Sequence, residues 1–195
     1  MGGLSRTQND ILPRHHVETD FKAIAHAMNN LIKTNKILNQ SFTPEKIARR
    51  FRKSSYEIVH FTSFCQVGNG PEDFFINGFN RHFQLNDIES LFEQKYVPGL
   101  VVFDYCTTLA DNQRATLLYS GFPMKTGIRS LLLSLWTHRE IGASELLPEF
   151  YRQLIRTPYL TRAEALKAAQ IETLGKQQFY HPFYWSGFML IGDWL

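Results

Sequence analysis

The residue with the most chemistry in it is a cysteine at the end of a hydrophobic run. The segment GLVVFDYC (residues 99–106) reads as a buried strand that delivers Cys106 to the edge of a sheet. Open α/β folds gather ligands and reactive groups at the carboxyl ends of their strands. A thiol with a free pKa of about 8.5 needs a base or a cation beside it to become a nucleophile at neutral pH. A second run, YEIVHFTSF (56–64), should end next to the first, where a Cys–His peptidase would carry its base. This chain has Phe64 there, followed by Cys65. An apolar ring desolvates a thiolate and raises its pKa. Lost acid–base help costs about 10²–10⁴-fold in rate. Alternation puts His60 on the same strand face as Thr62 and Phe64, but four residues along a strand span about 13 Å. His60 therefore reads as a satisfied, partly buried structural histidine, and His138 as a surface-loop residue. For Cys106 the ordinary reading is a thiol that simply packs, because free cysteine is among the most buried residue types.

The elements that must position these residues alternate between strand and helix patterns. Phe21, Ile24, Ala25, Met28, Leu31 and Ile32 recur at helical spacing over 18–33. Lys36–Leu38 reads as a short strand. Thr43-Pro44-Glu45 is a helix start, with a capping hydroxyl and a proline at the first helical position. DFFIN followed by HFQL suggests a hairpin. A short helix is expected over 86–94, capped by Asn86, and a strand over 129–136. Helical spacing returns over 144–156, where Pro148 limits the start. Thr161 with Glu164 opens another helix through a capping box. The last strand is expected within 183–194. Strands alternating with helices predict an α/β fold with a mostly parallel sheet and helices on both faces.

Composition bounds the rest. The chain has 195 residues, 44% of them hydrophobic, and 21 basic against 18 acidic side chains. That supports one sizeable core and is too even to suggest a nucleic-acid partner. Arg49, Arg50, Arg52 and Lys53 read as complementing the end of a helix dipole. No apolar run is long enough to span a membrane, so no membrane partner is expected. The seven histidines lack metal-ligand spacing, His15-His16 included, and neither a metal nor another cofactor is expected. Two cysteines suit a reducing, cytoplasmic setting.

Four segments in order resemble the CHAT family of caspase-like domains, clan CD cysteine peptidases often attached to tetratricopeptide repeats. HPFYWSGFMLIGDW at the end is the most specific. SLLLSLW followed by FYRQLI and AEALKAAQ matches in order and spacing. YEIVHFTSF and LVVFDYC stand where the family has its histidine and cysteine strands. The resemblance implies a three-layer αβα caspase-like fold over 14–195, with 1–13 as a loose segment. It puts Cys106 at the nucleophile position. His60 matches the first histidine of a His-hydrophobic-Ala-X-His-Gly pattern, whose catalytic histidine and glycine are here Phe64 and Cys65. Glu140, after SLWTHR, stands where the family often has an acid that could receive a basic substrate side chain. The family's first central strand has no evident counterpart.

Two functions are therefore expected. The first is a catalytically degenerate caspase-like module acting through a protein or peptide partner, such as tetratricopeptide-repeat regions of a longer parent or of a partner. The second is an active cysteine endopeptidase using Cys106 with an unrecognised base. Cys65 and Cys106 both fall at the family's dyad site. Strands about 4.8 Å apart could bring them within disulfide range, although two independent buried thiols are the ordinary expectation.

Overall fold

The computed structural model describes residues 1–4, 17–28, 31–67, 73–93, 97–108, 121–123, 125–136, 141–157 and 159–195, with the backbone alone for 67, 107–108 and 141–144. Two long strands form the centre, β3 (Ile58–Val67) and β6 (Leu100–Thr108), joined side by side and parallel. On one side of them lie β1 (Gly2–Gly3) and then β2 (Ile37–Leu38), both parallel. On the other side lie β7 (Ser130–Ser134), parallel, and β8 (Phe188–Gly192), antiparallel. A hairpin of β4 (Phe75–Asn77) and β5 (His82–Gln84) joins β3 antiparallel at its carboxyl half.

Helices cover both faces, which makes the expected αβα sandwich. Helices α1 (Val17–Ala27), α4 (Ile141–Arg156) and α5 (Arg162–Leu174) cover one face. There Ile24, Leu146, Phe150 and Leu166 meet Leu100, Val102 and Leu132. Helices α2 (Pro44–Phe51) and α3 (Leu85–Phe92) cover the other. There Ile47, Ile88 and Phe92 meet Phe61, Val101 and Phe103, with Phe42, Phe74 and Phe83 between them. Each such buried side chain contributes about 1.5–3 kcal/mol, so the central strands are held from both sides. Among the described residues no helix is long and apolar enough to cross a membrane.

Local signals set most helix starts. Thr43 accepts a hydrogen bond from the Lys46 amide, and Thr161 forms a reciprocal capping box with Glu164. Several elements differ from expectation. Residues 1–13 were expected to be loose, but Gly2–Gly3 pairs between β2 and β3, so another segment supplies the missing strand. Its signal is steric rather than hydrophobic. A Cβ on Gly3 would stand 2.6 Å from Val17 and 2.8 Å from the Thr62 carbonyl oxygen, and one on Gly2 2.8 Å from Phe42. Residues 5–13 lie outside the described residues. Helix α3 starts before Asn86, because Gln84 rather than Asn86 is its N-cap residue, with Asp87 in the first turn accepting from the Gln84 amide at 2.9 Å. Helix α4 starts at Ile141 and carries Pro148 inside it. Buried Leu146, Leu147, Phe150 and Tyr151 hold the helix against the sheet despite the lost hydrogen bond. The final strand is confined to 188–192, preceded by a 3-10 turn at Pro182–Tyr184.

Candidate functional site

The strands β3, β6 and β7 are parallel neighbours, as their hydrophobic runs predicted. Both central strands run further than expected. β3 continues three residues beyond Phe64 and β6 two beyond Cys106. Cys106 is thus inside the sheet, not on its rim, and is completely buried.

The register between the strands is interrupted. Phe61 pairs with Phe103, but Phe64 pairs with Tyr105, so β3 spends one more residue than β6 over this stretch. A ladder continued unbroken from Phe61 and Phe103 would set Cys65 opposite Thr107. The extra residue sets Cys65 opposite Cys106 instead. Both side chains then enter the aromatic core beside Phe61 and Phe103. They form a disulfide with a Cα–Cα separation of 4.4 Å, at the short end of the usual range. The expected reduced pair is replaced by a covalent link.

The surroundings close this position. β4 pairs with Cys65 through Ile76 and with Gln66 through Phe75, on the side of β3 away from β6. Ser63 donates its hydroxyl to the Asn77 carbonyl at 2.7 Å, which ties the irregular stretch to the hairpin. Phe64, at the base position, packs its ring against Phe75 with centroids 6.1 Å apart. On the β7 side, the Cys106 amide donates to Ser134 Oγ at 2.9 Å. That amide is committed to a side chain, so it is not free to stabilise an oxyanion.

The opposite face of the same strands carries a buried polar cluster. Tyr151 on α4 lies 3.1 Å from His60 Nδ1, and His60 Nε2 lies 3.1 Å from Asp104 Oδ2. The Thr62 hydroxyl donates to the same carboxylate oxygen at 3.0 Å. Burial, reinforced by the Asp104 charge, pushes the Tyr151 hydroxyl well above 10, so it keeps its proton and donates to Nδ1. His60 Nε2–H then donates to Asp104 Oδ2. Asp104 Oδ1 is buried with no hydrogen-bond partner.

His60 is therefore satisfied and structural, and more deeply buried than expected. It pairs with Val102, four residues before Cys106, and serves the face away from the disulfide. Glu140, expected to receive a basic side chain, lies outside the described residues, as do His138 and His15-His16. Asp104 and Tyr151 were missed as a unit. A lone carboxylate inside VVFDYC was visible, but Tyr151 shares the apolar spacing of its helix, so its hydroxyl gave no signal.

A family model described as CHAT domain matches residues 4–193, nearly the whole chain. No curated protein sequence matches it.

Proposed function

The chain belongs to the CHAT domain family, and from that premise we propose that it is a caspase-like module whose peptidase chemistry has lapsed and which acts by binding a protein partner. One observation carries the reading. The sulfur at the nucleophile position is bonded to Cys65, which stands where the family keeps a glycine. A sulfur in a disulfide is not a thiolate nucleophile. Phe64 at the histidine position supports the same conclusion, because a hydrocarbon ring neither accepts the thiol proton nor returns it to a leaving amine. The commitment of the Cys106 amide to Ser134 adds a third obstacle.

The test is a cleavage assay on peptides with arginine or lysine before the scissile bond, run with and without a dithiol reductant, beside Cys106→Ala. The expected result is no turnover in either redox state. Turnover after reduction that disappears in Cys106→Ala would overturn the proposal and restore the cysteine endopeptidase.

A further inference from the structure

Charge is distributed unevenly along this chain. Residues 31–56 carry seven basic side chains and one acid, Glu45, while the rest of the chain has 14 basic and 17 acidic residues. Glu45 is occupied by Arg81 at 3.0 Å, and the next acid, Glu57, faces Arg129 at 3.1 Å and Arg162 at 3.9 Å. Lys46 donates to the Gln40 carbonyl at 2.7 Å. The remaining six, Lys33, Lys36, Arg49, Arg50, Arg52 and Lys53, are all exposed. None has a carboxylate partner among the described residues. Several cations elsewhere are matched, among them Arg81 with Asp87 at 2.6 Å, Lys125 with Glu89 at 2.7 Å and Lys176 with Glu145 at 2.5 Å.

Topology gathers the six at one place. β2 and β3 are both parallel to β1, so the chain entering each strand does so at the same end of the sheet. Lys33 and Lys36 precede β2. Arg49 and Arg50 lie in the last turn of α2, and Arg52 and Lys53 follow it, just before β3. Asn35 and Ile37 line the same small cavity as Arg50 and Phe51, which places the two segments side by side. Cys65 is seven residues along β3, about 23 Å away. The helix dipole accounts for Arg49 and Arg50 in the last turn of α2. It accounts for neither the two lysines nor the missing counter-ions.

We propose that this amino end of the sheet is a docking surface for an acidic polypeptide segment. Two features favour a polypeptide over another polyanion. β2 is the last strand at its end of the sheet among the described residues, and a strand edge offers backbone groups that only another backbone can pair with. Leu31 and Ile32, 71% and 42% exposed, flank the cations and would take apolar side chains alternating with the carboxylates. A lysine beside an edge strand discourages pairing between like copies; the same charge admits an acidic strand. The apolar face of α2 is already buried through Ile47, which leaves that helix no apolar face to insert into lipid. The inference does not rest on Cys106 being inert, because the surface lies at the other end of β3.

The experiment is fluorescence anisotropy of the whole chain with a labelled peptide alternating glutamate and valine. The comparison probes are the same peptide with glutamine for glutamate, a single-stranded oligonucleotide, and vesicles of phosphatidylserine with phosphatidylcholine. Salt-sensitive binding of the acidic peptide is expected, weakened about tenfold or more in Arg49→Glu with Arg52→Glu. Lys36→Gln with Arg50→Gln should weaken it in the same direction and serves if charge reversal lowers the melting temperature. No binding at low salt, equal binding of the glutamine peptide, unchanged binding in the variants, or tighter binding of the oligonucleotide or the vesicles would each overturn it.

Discussion

On one face of the β3–β6 pair, Cys65 and Cys106 join the strands among phenylalanines; on the other, His60, Thr62 and Asp104 join them under Tyr151. The two links lie within a few residues of each other but obey different chemistry. The disulfide restrains the unfolded chain and answers to reductant. The polar cluster rests on hydrogen bonds, and removing Tyr151, His60 or Asp104 leaves a neighbour in a dry interior without that partner. One strand pair thus carries a redox-dependent link and a hydrogen-bonded link, separated only by the thickness of the sheet.

The largest test removes the centre of the polar cluster. Asp104→Ala should lower stability by about 1–3 kcal/mol for each buried donor it leaves without an acceptor, because His60 Nε2–H and the Thr62 hydroxyl lose their shared carboxylate oxygen in a dry interior. Chemical denaturation measures it, and a loss below about 1 kcal/mol would mean the cluster is wetter than it looks. Reduction of the disulfide should rank next. Its cysteines are 41 residues apart, and opening a loop of that size costs about 2–4 kcal/mol. Denaturation with and without reductant, with Cys65→Ala as the control, reads this. A shift that persists in the control would assign it to something other than the bond.

The smallest effect should come from Tyr151→Phe, about 1 kcal/mol at neutral pH, with a pH signature that separates the two faces. Tyr151 is pushed well above its ordinary 10.0 in the folded chain, so the unfolded chain ionises first. Its contribution is complete below about pH 10 and is lost as pH rises beyond that. Tyr151→Phe should flatten the alkaline decline, whereas reduction should leave its slope unchanged. An identical alkaline decline in native protein and variant would remove Tyr151 as its source.

Much of the scaffold was legible because its causes are local. The capping residues Thr43 and Thr161 marked their helices, and the hydrophobic runs of β3, β6 and β7 marked the centre of the sheet. The lost histidine was legible too, since Phe64 and Cys65 stand in a recognisable pattern. What escaped depends on contacts far apart in sequence. Gly2–Gly3 has no hydrophobic pattern; it pairs between β2 and β3 where Val17, Phe42 and the Thr62 carbonyl leave no room for a side chain. Tyr151 shares helical spacing with its apolar neighbours, and only its meeting with His60, 91 residues away, gives its hydroxyl a use. Pro148 misled because tertiary burial on both sides of it outweighs one missing hydrogen bond.

The extra residue between Phe61 and Phe64 has a consequence for inheritance. The link depends on two side chains and also on a count, the offset of one between β3 and β6. A relative could keep both cysteines, align perfectly over them and still leave them unjoined if its two strands ran in unbroken step. Cysteine pair and offset therefore form a single hereditary character. In comparing members of this family, the spacing from Phe61 to Cys65 against that from Phe103 to Cys106 is as informative as the identity of either cysteine.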